Sequence, residues 1–250
     1  MLQSMAIFWE LHSGLPQEGP GDNESTLKAL RMIQDLPEDP QILDIGCGPG
    51  RQTIVLVKET HGTVIALDTH QPFLDEVEKR AKAENVDTKI TTTKQSMADM
   101  DFEKQSFDVI WSEGAIFIIG FEKGLNYWKQ FLKPGGYLVI SELAWLIDDP
   151  PNEAETFFNE GYPDMKKIGE NESIIRRSGY ELIDRFVLPD TAWMDDYYIP
   201  IEKKISILRG KYKGDKQAIK FLDASQEEID IFRKYSNSYG YLFYVMHLPS

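Results

Sequence analysis

The chain has 250 residues, 41 acidic against 27 basic side chains, a net charge of −14 and a single cysteine, enough length for one α/β domain with elaborations. No apolar run reaches the ~18 residues that span a bilayer, the start Met1-Leu2-Gln3-Ser4 lacks the basic and apolar regions of a secretion signal, and the lone Cys47 excludes an internal disulfide and suits a reducing cytoplasm. No basic cluster exceeds a residue pair, so a nucleic-acid partner is not expected; the acidity equally serves to keep the protein in solution.

The predicted elements run as follows: a helix at 24–35, strand 41–45, helix 51–59, strand 63–68, helix 71–84, strand 88–93, strand 107–112, helix 121–131 and strand 136–142. Strands alternating with helices imply right-handed crossovers and a mostly parallel sheet covered on both faces. After Pro150-Pro151 the rhythm changes to helical pieces at 152–160 and 170–178, a strand at 180–188, and a closing strand at 241–247. The stretch 190–239 between those last strands is too long for a hairpin loop. It is expected to hold two helices, 200–221 and 225–237, the second capped by Ser225 three residues before Glu228.

The segment Ile42-Leu43-Asp44-Ile45-Gly46-Cys47-Gly48-Pro49-Gly50 carries the most chemistry. An apolar run ending in Asp and breaking into glycines at alternate positions is a buried strand meeting a tight turn, where a backbone passing beneath a ligand has no room for Cβ. A dinucleotide fingerprint needs a third glycine where Arg51 stands, and the Lys-Ser/Thr of a P-loop is absent. An acid beside the loop suits a ligand with an amino group and a fixed positive charge. Asp68, 24 residues beyond Asp44, ends the next apolar run Thr63–Leu67, and an acid there can accept both hydroxyls of a ribose.

The loop, Asp68, the Ser96-Met97-Ala98-Asp99 stretch, Phe107-Asp108-Val109-Ile110 and Leu132-Lys133-Pro134-Gly135-Gly136 occur in the order and spacing of class I S-adenosylmethionine-dependent methyltransferases. The chain resembles that superfamily over residues 40–145. As a whole, including Trp111–Ile116 and Gln17–Gly21, it is similar to a group of prokaryotic methyltransferase-like proteins whose acceptors are mostly unassigned. The resemblance implies a Rossmann-like fold: a seven-stranded, mostly parallel sheet with its last strand antiparallel, helices on both faces and helical cap insertions. On that pattern residues 1–250 form one methyltransferase domain, with an N-terminal lid segment and helix at 1–36, a cofactor-binding core at 40–145, and 190–239 serving as a substrate cap or a homodimer contact.

The resemblance also implies S-adenosylmethionine as cofactor and assigns roles. Asp44, Gly46 and Gly48 surround the methionine moiety, with Cys47 a small filler in that loop and not a nucleophile. Asp68 takes the ribose, Thr69 borders the adenosine, and Ser96 and Met97 lie at the adenine, although relatives often place an acid where Ser96 stands. Asp44 tying down loop amides is the alternative to ligand contact. Glu113, directly after the fourth strand, is the leading candidate for chemistry on the methyl acceptor, as base, cation anchor or cofactor contact; Glu142 and His12 follow. Aromatics in 8–21 and 193–198 are expected either to wall a small-molecule pocket or to dock these segments on the sheet. No metal-ligand spacing is readable. In-line methyl transfer to a small molecule is the expected activity, with a non-catalytic cofactor-binding or partner-docking protein on the same fold as the alternative. A nicotinamide oxidoreductase is disfavoured by Arg51.

Overall fold

A computed structural model describes residues 2–250, with side chains from residue 6 onward; the reading of Met1–Ser4 as lacking a secretion signal falls on residues whose side chains lie outside that description. Eight strands are present among the described residues: β1 (Gln41–Ile45), β2 (Thr63–Asp68), β3 (Ile90–Lys94), β4 (Phe107–Glu113), β5 (Leu132–Trp145), β6 (Lys166–Lys167), β7 (Glu181–Val187) and β8 (Tyr239–His247). Seven form the sheet path β3-β2-β1-β4-β5-β8-β7, and the two-residue β6 adds beside the end of β5. β1, β2, β3, β4 and β5 pair in parallel, while β8 runs antiparallel to both β5 and β7. The chain leaves β1 toward β2 and β3 and returns to its other side as β4, so the strand order reverses at β1/β4. Ligands of open α/β sheets bind beyond the carboxyl ends of the strands at such a reversal.

The sheet strands separate two apolar layers. Along β5, Val139, Leu143 and Trp145 join one cluster, and Leu138, Ile140 and Ala144 join the other, as the two-residue period of a strand dictates. The first layer also holds Trp111, Phe243, Phe158 of helix α6 (Asn152–Gly161) and aromatic side chains of the late insertion. The second packs Trp128 and Leu125 of helix α5 (Phe121–Trp128) and Ile174 of helix α7 (Ile168–Arg177). No helix among the described residues is long and apolar enough to cross a membrane.

Three helices build a cap over the strand ends: α1 (Leu2–His12), α9 (Ile199–Lys211) and α10 (Lys216–Tyr235). The sequence pattern did not announce α1, which carries no acidic residue in its first turn. The insertion also breaks earlier than its sequence suggests. Asp215 caps α10 by accepting from the amides of Gln217 and Ala218 at 3.0 Å each, so Gly214-Asp215 is the turn. Ser225 is not a cap; it lies inside α10, where its hydroxyl donates to the Phe221 carbonyl at 3.0 Å. Ahead of α9, the short helix α8 (Asp190–Trp193) runs into a π-helical turn, Met194–Tyr198. β5 outruns the expected 136–142 because β8 pairs along it as far as Trp145↔Tyr239.

Polar contacts clip the lid segment to the rest of the cap. Glu10 accepts from the Tyr212 hydroxyl at 2.6 Å and pairs with Lys211 at 2.5 Å. Lys204 donates to the Ser13 carbonyl, and Arg80 donates to that of Pro16 at 2.8 Å. The Gly21 amide donates to the Ala192 carbonyl at 3.1 Å. Trp9 stacks on His70 with ring centroids 3.7 Å apart and 7° between planes.

Candidate functional site

The strand-to-helix turn after β1 has Gly46, Gly48 and Gly50 at φ +69°, +53° and +83°, a region that L side chains rarely adopt. A Cβ on Gly46 would stand 2.6 Å from the Ala115 methyl and 3.3 Å from Met97 Cε. The loop backbone therefore approaches β4 and the Met97 turn more closely than any side chain would permit. The amides of Gly46 and Cys47 both donate to the Leu67 carbonyl, at 2.8 and 3.0 Å.

Asp68 crowns β2. One carboxylate oxygen accepts from the Gly48 amide at 3.1 Å and the other from the His70 amide at 2.9 Å. Each oxygen keeps a second lone pair, and Asp68 lines a cleft of about 290 Å³ together with Gly46, Gly48, Thr69 and Met97. Asp44 is placed differently. It is fully buried behind the loop, accepting from Thr53 Oγ1 at 2.5 Å and Gln52 Nε2 at 3.3 Å on helix α3 (Arg51–Thr60). Burial pushes its carboxyl up to about 7, opposed by the Thr53 hydrogen bond. Asp44 thus braces the loop against α3, and Gln52, not Asp44, is on the cleft wall. Cys47 is on that wall but buried, its thiol pushed well up by burial, which leaves little thiolate for nucleophilic chemistry.

Ser96 does not reach the cleft. It is exposed, and its hydroxyl accepts from the Ala98 amide in the local turn; the neighbours Gln95 and Met97 line the wall instead. Gln95 is braced by the Asp101 amide, which donates to its Oε1 at 2.8 Å.

Glu113 lines the cleft, and its Oε1 is fully engaged. Oε1 accepts from Thr26 Oγ1 and Trp111 Nε1, both at 2.8 Å, and Oε2 faces Arg51 Nη2 at 3.7 Å. Burial raises its carboxyl while Arg51, Trp111 and Thr26 pull it back. Glu113 therefore anchors helix α2 (Asn23–Leu30) and the start of α3 to the end of β4. Glu142 lines neither this cleft nor the cavity beside it. Its Oε1 accepts the Tyr162 hydroxyl at 2.5 Å, its Oε2 is buried without a partner, and burial pushes it up to about 8.

A second cavity of about 460 Å³ opens beside the cleft beneath the cap. The two share Phe8, Glu18, Gly19, Pro20, Gly114 and Phe117 in their walls. Trp193, Tyr197 and Tyr198 face the second cavity. Trp193 also stacks on Phe232 at 4.5 Å, so docking and wall-forming are done by the same ring. His12 ends α1 on this wall, with its Nδ1 3.4 Å from Glu18 Oε2. Glu18 and Glu228 are the wall residues that sequence reasoning passed over; an acid within the turn-rich Gln17–Gly21 stretch was the available signal for the first.

A mostly parallel sheet that reverses at β1/β4, a Gly46-x-Gly48-x-Gly50 turn and an acid crowning β2 together give this chain the Rossmann-like fold of S-adenosylmethionine-dependent class I methyltransferases, and residues 42–136 match the methyltransferase domain family. Among solved structures it is similar to YjhP from E. coli, at 18% identity and a TM-score of 0.84 over 98% of this chain and 99% of the other. It is likewise similar to a SAM-dependent methyltransferase from Geobacter sulfurreducens in complex with S-adenosyl-L-homocysteine, at 19% identity and a TM-score of 0.79 over 99% and 98%. Among curated proteins, the sterol 24-C-methyltransferase of Kluyveromyces lactis is 24% identical over 176 residues, 66% of this chain and 47% of that protein. The chain thus spans about half the length of the curated relatives it matches.

Proposed function

We propose that this protein is a cytoplasmic methyltransferase that moves the methyl group of S-adenosylmethionine to a small molecule held beneath the helical cap. The observation that carries the reading is the pair of adjoining chambers, a glycine-loop cleft and a separate aromatic cavity, sharing one wall at Glu18, Gly114 and Phe117. The cleft fits the cofactor's chemistry. Gly46 lets the loop backbone lie against Ala115 and Met97 at the cleft wall, and Asp68 has lone pairs for two hydroxyls. Among the described residues the carboxyl groups of Glu18, Asp68 and Glu113 line the cleft without a Lys or Arg, which suits a ligand with a fixed positive charge.

When bound, the cofactor would supply an electrophilic methyl, to which an acceptor atom bonds in line as the neutral thioether sulfur leaves. Asp68 and the Gly46–Gly48 backbone hold the ribose and methionine ends. Gln95, Met97 and Thr69 flank the adenosine. The cap, clipped by Glu10, Lys204 and Arg80, excludes water and orients the acceptor, and holding two reactants at near-contact distance can supply about 7–11 kcal/mol of the barrier reduction. Glu113, held by Thr26, Trp111 and Arg51, positions the lid for this reaction.

Calorimetric titration with S-adenosylhomocysteine, with NAD as control, tests the reading. Micromolar binding is expected, weakened by about 1–3 kcal/mol in Asp68→Ala through loss of charge-assisted hydrogen bonds. Turnover on an acceptor panel, followed as S-adenosylhomocysteine release, separates catalysis from cofactor binding without chemistry. No binding of S-adenosylhomocysteine refutes the proposal.

A further inference from the structure

The wall of the capped cavity selects the charge of its occupant. Phe117, Phe158, Trp193, Tyr197 and Tyr241 give it aromatic surfaces, and apart from its tyrosines its ionisable groups are His12, Glu18 and Glu228; among the described residues no Lys or Arg lines it. Glu228 is engaged, accepting the Tyr198 hydroxyl at 2.9 Å. The junction with the cleft is different. His12 is only 8% exposed, and its Nδ1 has no hydrogen-bond partner. Glu18 Oε2, 3.4 Å away, is also buried without one.

Buried polar atoms without hydrogen-bond partners are destabilising, so the occupant that fits is one that satisfies both. An anion entering here meets two carboxyl groups and no lining Lys or Arg, the Lys204 ammonium being turned to the Ser13 carbonyl. A hydrocarbon leaves both atoms unpaired. A protonated nitrogen can donate to Glu18 and to an unprotonated His12 Nδ1 at once, while the surrounding aromatic faces attract its charge.

We propose that the capped cavity binds a hydrophobic amine, its nitrogen set beside Glu18 Oε2 and His12 Nδ1 and donating to both, at the mouth of the glycine-loop cleft. As the identity of the methyl acceptor, this rests on the methyl-transfer reading above: the ammonium would pass one proton to the Glu18 carboxylate, and the freed lone pair would bond the methyl carbon as the carbon–sulfur bond breaks with its electrons left on a neutral thioether. The surroundings agree with the arrangement. Burial holds His12 down to about 4, so its imidazole is neutral and can accept. Burial and Asp68 push Glu18 up to about 8, against the pull of Lys204, whose ammonium is turned to the Ser13 carbonyl; Tyr197 is the remaining ionisable group facing Glu18. Near neutral pH Glu18 holds a proton in the free protein, and pairing with an ammonium ionises it, so amine binding expels that proton.

The test is calorimetric titration of the full chain with phenethylamine, phenethyl alcohol and phenylacetate, with and without S-adenosylhomocysteine, in two buffers of different ionisation enthalpy. Expected are an amine affinity at least about tenfold above that of the alcohol, no phenylacetate binding, and release of about one proton per amine bound near neutral pH. Glu18→Gln is expected to remove both the amine preference and the proton release, with its melting temperature and S-adenosylhomocysteine affinity read alongside. Equal affinity for amine and alcohol, or a preference for the carboxylate, overturns the proposal, as does loss of the preference in Glu228→Gln but not in Glu18→Gln. If Glu18→Gln does not fold, the wild-type panel and proton count still decide. Binding of S-adenosylhomocysteine without an amine preference overturns this inference alone, whereas an amine preference without S-adenosylhomocysteine binding overturns the methyl-transfer reading alone.

Discussion

Replacing Gly50 by alanine separates two reasons for a glycine at the start of α3. Gly50 sits at φ +83° and ψ 27°, and an L residue in that left-handed region costs about 1–2 kcal/mol. Its new Cβ would also lie 2.6 Å from Val77 Cγ2, 3.3 Å from Cγ1 and 3.2 Å from Cβ. Val77 is fully buried on helix α4 (Gln71–Ala83) and cannot swing away, so overpacking adds about 1–3 kcal/mol. Gly50→Ala should therefore destabilise the fold by about 2–5 kcal/mol. In a Val77→Ala background the two methyl contacts vanish and the 3.2 Å contact remains. The cost of Gly50→Ala should then fall toward the backbone part, giving a favourable coupling of about 1–3 kcal/mol. Urea unfolding of the wild type, both single variants and the double variant, followed by tryptophan fluorescence, measures the cycle. An equal cost in both backgrounds refutes the steric argument, and a neutral Gly50→Ala refutes the backbone argument as well.

Three further outcomes are expected. Glu142, raised from 4.5 to about 8, binds its proton more tightly folded than unfolded; its contribution is therefore most favourable below 4.5 and is lost as pH rises to about 8, at up to about 1.4 kcal/mol per pH unit. Glu142→Gln keeps an acceptor for Tyr162 and should gain stability relative to the wild type across that window, so parallel stability–pH curves would contradict the burial argument. Asp215→Ala should cost about 1 kcal/mol by uncapping α10, whereas Ser225→Ala should stay within about 0.5 kcal/mol; thermal melts showing the reverse order would relocate the helix break. Thr26→Val removes a donor from Glu113 (2.8 Å) and should cost about 1–3 kcal/mol in urea unfolding, with no change indicating that α2 docks through apolar contacts alone.

Local physics made the core of the protein legible in its sequence. Mostly apolar runs such as Ile42–Ile45, with Asp44 the one polar residue, produce strands buried on both faces, and alternate glycines after such a run produce a turn at positive φ because other residues resist it. Asp68 could be placed at a strand end from spacing alone, and the structure finds it crowning β2 beside the Gly48 amide. Asp44 and Ser96 show where that reasoning stops. Which way a side chain turns at a strand end depends on the helix behind it: Thr53 and Gln52 draw Asp44 away from the cleft, and a tight turn directs Ser96 outward and Gln95 inward.

Sequence alone determined the order of the seven strands of the sheet path, the helices between β1 and β5, and the glycine turn, because each depends on residues within a few positions of one another. Tertiary structure alone decided what encloses the site. Glu113 meets Thr26 across 87 positions, and Lys204 meets Ser13 across 191. His12, Glu18 and Glu228 converge on one cavity from α1, the lid and α10. Such meetings are fixed by how the cap helices bury their apolar faces against the sheet, which is a property of the packed whole and of no local pattern.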